Sequence, residues 1–241
     1  MAKNRTLIGV LTPSSNTVLE PLTSAMVADL PGVSAHFGRF TVTRISMDAG
    51  SQSQFDLQNP LAAARLLADA RVDAIIWSGT SASWLGFGRD RRLCETITAE
   101  TGIPAGSAVL AINDLLAAAG SRTFGLVSPY VDEVQERIVA NYADHGIRCV
   151  AERHLNEIVN YAFAEFDEKT IAEQIRAVAQ ARPDAIVVMC TNMRGARIVP
   201  ELEDELDIPI FDSTAAAVWT GMKLAGDDPG RIRNWGRLFA L

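Results

Sequence analysis

The apolar positions of this chain form short continuous runs separated by longer stretches with helical spacing. LIGVL (7–11), DAIIW (73–77), TFGLV (123–127) and DAIVVM (184–189) are runs of four to six residues with little polar interruption. Such runs mark strands buried on both faces, as in a parallel sheet, rather than half-exposed antiparallel strands. Between them, NPLAAARLLADAR, RDRRLCETITAETG, DEVQERIVANYADHG, EKTIAEQIRAVAQAR and AAAVWTGMKLAG place apolar residues near a helical repeat. TPSSNTVLEPLTSAM reads as a turn whose Ser/Asn cap opens a helix. VSAHFGRFTV, IPAGS, IRCVAERHL and IPIFDS add further strands, and a helix is predicted from Gly195 to Leu206. Strands alternating with crossover helices define an α/β fold with parallel sheets.

The pattern occurs twice. ARVDAIIWSGTS (70–81) matches ARPDAIVVMCTN (181–192), and the separation is 111 residues both from Asp73 to Asp184 and from Gly79 to Cys190. TLIGVLTPSSN matches RTFGLVSPYVD, and TGIPAGSAVLAINDLLAAAG matches LDIPIFDSTAAAVWTGMKLAG. Two long copies predict two duplicated Rossmann-like lobes related by a pseudo-two-fold axis, with an active site in the cleft between them. A solenoid would need three or more short repeats. The C-terminal helix is expected to return to the first lobe, giving one lobe from residues 1–115 plus 214–241 and a second from 116–213.

Composition narrows the function classes. The net charge of −7 and the lack of a basic stripe disfavour a nucleic-acid partner. No stretch has the length of a membrane span, and the N-terminal segment lacks the apolar core and cleavage site of a leader. Three widely spaced cysteines argue against a disulfide framework and for a reducing cytoplasm. No Walker, CxxC or HExxH sequence is present, and Gly86-Phe87-Gly88 lacks the spacing of a dinucleotide fingerprint. A homo-oligomer is left open.

Ligands of parallel α/β sheets bind outside the carboxyl ends of the strands. That rule collects Ser14, Ser15 and Asn16, then Gly79, Thr80 and Ser81, then Tyr130, then Cys190, Thr191 and Asn192. They supply hydroxyls, amides, backbone N–H groups and one thiol, donors suited to a carboxylate or enolate. A lone cysteine after an apolar strand is most often packing, and Cys94 and Cys149 are read that way. Cys190 differs because the repeat sets it opposite Gly79, one side of a cleft carrying a thiol and the other nothing. A helix shortly after Cys190 would favour its thiolate. The scattered His36, His145 and His154 form no triad.

These residues carry a family resemblance along nearly the whole chain. GTSASWLG (79–86), TGIP (101–104), SAVLAINDLL (107–116), SPYVDEVQERI (128–138) and GRLF (236–239) resemble arylmalonate decarboxylases. PSSNTVLEP (13–21), Arg39 and CTNMR (190–194) are similar to maleate isomerases of the same aspartate/glutamate racemase superfamily. The resemblance implies chemistry without a cofactor or metal on a small carboxylate substrate. Racemases and isomerases of the group carry one cysteine per half. Gly79 in the first position is the decarboxylase pattern, in which one carboxylate leaves as CO2 and the cysteine protonates the enediolate. By resemblance Cys190 is that acid, and Thr80, Ser81, Tyr130 and the Thr191 N–H form the oxyanion site. Ser14, Ser15 and Asn16 would close it, making the cleft, with Thr191 and Asn192, more polar than in the family decarboxylases. Two alternatives stand beside a decarboxylase of a disubstituted malonate. One is a maleate isomerase-like or racemase activity with a non-thiol partner near Gly79. The other is a binding protein that has lost the chemistry.

Overall fold

The computed structural model describes residues 5–241; residues 1–4, part of the segment read for a leader, lie outside the described residues. Among the described residues, eight strands form two four-stranded sheets. The first contains β1 (Thr6–Pro13), β2 (Val33–Phe40), β3 (Ala74–Trp77) and β4 (Ala105–Ser107), in the order β2-β1-β3-β4. The second contains β5 (Thr123–Ser128), β6 (Arg148–His154), β7 (Ala185–Val188) and β8 (Ile210–Asp212), in the order β6-β5-β7-β8. Every pairing within the sheets is parallel. The protein is therefore an α/β molecule of two lobes with the same topology.

Among the described residues, ten α-helices connect and cover the sheets: α1 (Leu19–Val27), α2 (Ala49–Ser53), α3 (Gln58–Asp69), α4 (Ala82–Leu85), α5 (Phe87–Thr101), α6 (Ala108–Ala118), α7 (Asp132–Asp144), α8 (Glu168–Ala179), α9 (Val199–Leu206) and α10 (Ser213–Leu224). The central strands explain the continuous apolar runs. Every residue of β3 and β7 is buried, and each large apolar side chain so buried contributes roughly 1.5–3 kcal/mol. α10 leaves β8 and packs against β3, β4, α1 and α6.

The repeat is visible in the backbone as well as in the sheet order. Arg71 and Arg182, 111 residues apart, both adopt the left-handed conformation, with φ of 52° and 48°. Each opens the turn into a central strand. The aspartate that follows ties down the neighbouring strand: Asp73 Oδ2 accepts from the Leu7 N–H at 2.8 Å, and Asp184 Oδ2 accepts from the Thr123 N–H at 2.9 Å. These pairings explain why Ala-Arg-x-Asp survives in both copies.

Gly9 and Gly125 occupy matching places on β1 and β5. A Cβ on Gly9 would lie 3.0 Å from Val72 Cγ2 and 3.3 Å from Leu67 Cδ1. On Gly125 it would lie 3.0 Å from Val178 Cγ2 and 3.3 Å from Pro183 Cγ. Leu67 and Val178, and likewise Val72 and Pro183, are separated by the same 111 residues. Gly9→Ala and Gly125→Ala should each lower stability by about 1–3 kcal/mol, because a methyl group must push a helix or turn off its sheet. Urea denaturation checks this, and an unchanged midpoint for either variant would show that the neighbours yield freely.

Candidate active site

The carboxyl ends of β1, β3, β5 and β7 converge on one small cavity. Its wall includes Pro13 after β1, Trp77, Gly79, Thr80 and Ser81 from β3 and its turn, Tyr130 after β5, and Cys190 and Thr191 after β7. Gly79 and Cys190 thus border a common space, with both lobes contributing. Val42, Ile45, Phe55, Trp84 and Asn160 complete the lining.

The turns after β3 and β7 are dehydrated, and their polar groups pair across the boundary between the lobes. Thr191 Oγ1 donates to the Ser78 carbonyl at 3.1 Å and accepts from Asn16 Nδ2 at 3.3 Å. The hydroxyls of Thr80 and Tyr130 are hydrogen-bonded at 2.6 Å. Tyr130 is held edge-on between Trp84 and Phe163, with centroids at 5.1 and 5.6 Å. Its phenol is therefore fixed in direction, and burial together with the neighbouring Cys190 raises its pKa well above the usual value.

Several residues expected at the site do not line the cavity. Ser14 Oγ accepts from the Val42 N–H at 3.2 Å, and Ser15 Oγ donates to the Val42 carbonyl at 2.7 Å. Asn16 Oδ1 caps α1, accepting from the N–H groups of Val18 and Leu19, both at 2.9 Å. Asn192 accepts from the Thr17 N–H at 3.0 Å and donates to the Asn160 carbonyl at 2.6 Å. Ser14 thus fixes the β1 turn within the first lobe, while Ser15, which also accepts from Asn160 Nδ2 at 2.8 Å, Asn16 and Asn192 hold it against the second lobe. The cavity wall is consequently more apolar than the sequence suggests, with Pro13, Val42, Ile45, Phe55, Trp77 and Trp84 in it.

Two further expectations fail. The segment from Gly195 to Leu206 is not one helix: a 3-10 turn over Ala196–Ile198 precedes α9, which begins at Val199. The helix expected to follow Cys190 directly therefore starts only at Val199. Burial instead pushes the Cys190 thiol up to about 12, opposed by hydrogen bonds from the Asn192 N–H and the Tyr130 hydroxyl. The Asn192 N–H reaches Sγ at 3.3 Å. Cys190 is a neutral thiol that can give up a proton to a carbanion, with donors in place to receive the thiolate. Nor is the face of Gly79 vacant, because a Cβ there would fall 2.0 Å from Cζ2 of the Trp77 indole.

Asn160, Phe55, Trp77 and Trp84 were not anticipated. Asn160 opens a 3-10 helix (Asn160–Glu165), and its approach to residues 43–45 is sealed by Ile45 N–H to the Ile158 carbonyl at 2.8 Å and Asn160 N–H to the Thr43 carbonyl at 2.9 Å. Non-local pairing of this kind leaves no sequence periodicity. Trp84 sits in the WLG of the repeat's unmatched part, and its buried Nε1–H has no hydrogen-bond partner. Among the described residues no group of three or more His, Cys, Asp and Glu side chains could hold a metal. Among the same residues no helix is long and apolar enough to cross a membrane.

The family model for arylmalonate decarboxylase matches residues 12–239, almost the whole chain. The chain belongs to the arylmalonate decarboxylase family. It is 27% identical to the arylmalonate decarboxylase of Bordetella bronchiseptica over 235 residues, covering 96% of this chain and 95% of that one. It is 26% identical to the maleate isomerase of Nocardia farcinica over 240 residues, covering 96% and 94%. Among solved structures, the Pseudomonas putida maleate isomerase with maleate superposes with a TM-score of 0.88 at 22% identity, covering 98% and 97% of the two chains. An arylmalonate decarboxylase structure gives 0.77 at 25% identity, covering 97% and 99%. Members of the family are thus enzymes of two reaction classes, a lyase and isomerases. In the Nocardia farcinica isomerase a covalent succinylcysteine intermediate has been captured.

Beside the thiol lies a second titrating group. Asp212 Oδ1 caps α10 through the Thr214 and Ala215 N–H groups at 2.8 and 3.1 Å, while Oδ2 is buried without a partner. Burial raises its pKa to about 7, against the pull of those two N–H donors. A carboxyl with a raised folded pKa stabilises the protein fully below its unfolded value of 3.8, and that stabilisation is lost as pH rises through about 7. Asp212→Asn, which keeps the cap, should therefore gain stability relative to the parent between pH 5 and pH 8. Urea midpoints at the two pH values test it, and an unchanged difference would mean that the carboxyl is not protonated in the fold.

Proposed function

We propose that the protein is a cofactor-independent decarboxylase of a disubstituted malonate-type dicarboxylate, with Cys190 as its single proton donor. The observation that carries this reading is a neutral buried thiol facing fixed hydroxyls in a largely apolar cavity that has no second thiol.

Each group has a defined task in that reaction. The Thr80, Ser81 and Tyr130 hydroxyls bind the carboxylate that is retained. The hydrogen bond between Thr80 and Tyr130 holds both hydroxyls at fixed positions on the wall, where they meet the ligand. The departing carboxylate lies against apolar wall, where loss of hydration favours neutral CO2 over an anion. The bond from the α-carbon to that carboxylate breaks, CO2 leaves, and the electron pair moves onto the retained carboxylate as an enediolate. Donors preorganised toward such charge contribute about 3 kcal/mol each. The Cys190 S–H then delivers its proton to the α-carbon, and the thiolate is held by the Asn192 N–H until water returns the proton.

The single thiol also favours this reading over two-faced chemistry. A racemase needs an acid and a base on opposite faces of the α-carbon, and a glycine at 79 supplies neither. A hydroxyl such as Thr80 is a weak nucleophile without an adjacent base.

The parent protein should release CO2 from malonates and place one solvent deuterium on the α-carbon in heavy water. Cys190→Ala should lose about a thousandfold in rate and Thr80→Val about a hundredfold, both still folded, while Cys94→Ala and Cys149→Ala keep most activity. Turnover that survives Cys190→Ala would refute the assignment. Conversion of maleate to fumarate without CO2 would put the chain with the isomerases instead.

A further inference from the structure

Trp77 closes β3 and Gly79 lies two residues beyond it, and a Cβ on Gly79 would point into the Trp77 ring. In the first lobe that pair is Trp77 and Gly79; at the same register in the second lobe it is Val188 and Cys190. A large residue followed by the smallest one faces a medium residue followed by a thiol. The coordinates show why the volumes are paired in this way. A Cβ on Gly79 would meet Trp77 Cζ2 at 2.0 Å, Cη2 at 2.4 Å and Cε2 at 2.5 Å. The indole lies directly over residue 79, where a side chain would otherwise enter the cavity.

Trp77 cannot swing away easily. It is 2% exposed, and its ring packs on Phe40 with centroids 4.9 Å apart. It also has a second cavity behind it, bordered by Phe40, Leu57, Leu93 and the buried Asp90. Phe55, Trp77 and Ser81 line both spaces, so the indole is part of the partition between them. Both cavities are tight. Each encloses about 280 Å³ with its open mouth included.

We infer that Trp77 is the specificity-determining wall of this site: its indole keeps any side chain out of position 79 and limits the substrate to malonates with short aliphatic substituents, excluding aryl groups. The size limit rests on the decarboxylase reading; the exclusion at position 79 does not. Shortening residue 77 joins the two cavities and adds the volume of the indole itself. The merged space then accepts a ring, and position 79 then accepts a side chain.

The test uses Trp77→Leu, Gly79→Cys and the double variant. Gly79→Cys alone should lower the urea midpoint, and adding Trp77→Leu should recover part of the loss, so that the two changes are not additive. Additive losses, or a Gly79→Cys protein as stable as the parent, would overturn the exclusion. For the size limit, CO2 release is compared between methylmalonate and phenylmalonate. The phenyl-to-methyl ratio should rise about tenfold or more in Trp77→Leu, and an unchanged ratio would overturn it. Calorimetric binding of the same two compounds separates this failure from that of the proposed reaction. No CO2 from any malonate, with a binding preference that still shifts toward the ring in Trp77→Leu, retains the wall and removes the decarboxylase. No binding of either compound by either protein overturns the malonate size limit together with the reaction.

Discussion

The molecule is organised by the need to satisfy polar turns that two sheets press together. The chain leaves β3 and β7 at the centre of the molecule, where Ser78, Thr191 and Asn192 are all buried. An unpaired polar group in such a place costs about 1–3 kcal/mol. The turns answer this by bonding across the lobes, Thr191 to the Ser78 carbonyl and to Asn16, and Asn192 to the Thr17 N–H, while Asn192 also ties to the Asn160 carbonyl within its own lobe. Once those bonds are made, the relative position of the lobes is set. Cys190, Thr80 and Tyr130 then fall around one space without any ligand to assemble them.

The same need divides the polar residues of the rim into two kinds. Ser14, Ser15, Asn16 and Asn192 spend their hydrogen-bonding capacity on the framework. Thr80, Ser81 and Tyr130 remain on the wall of the cavity. Rim position alone does not separate these roles, because both kinds follow a strand and both are short and polar. The difference lies in which backbone groups happen to be near, which is a property of the packed lobes.

What could be read from the chain follows from this. The continuous runs of β3 and β7, the Asn16 cap of α1 and the 111-residue offset depend on local chemistry or on repetition, and they were legible. The start of α9 was not, since residues 195–198 carry helical periodicity yet take the tighter 3-10 form. Asn160 was hidden because its position depends on pairing with residues more than a hundred positions away. Trp77 was hidden differently. It reads as one more apolar residue of a buried strand, and its consequence for Gly79 emerges only when the ring is seen folded over the neighbour two residues on.

The burial of Cys190 also bears on how the protein meets oxidants. Peroxide attacks thiolates, and neutral thiols are oxidised slowly. Burial raises all three cysteines, Cys149 to about 11 and Cys94 and Cys190 to about 12. None is paired in a disulfide. The sulfur that faces the cavity is thus kept from sulfenic acid by the surroundings that keep it protonated. Resistance to oxidative inactivation comes with the architecture, and a change that exposed Cys190 to water would give it up.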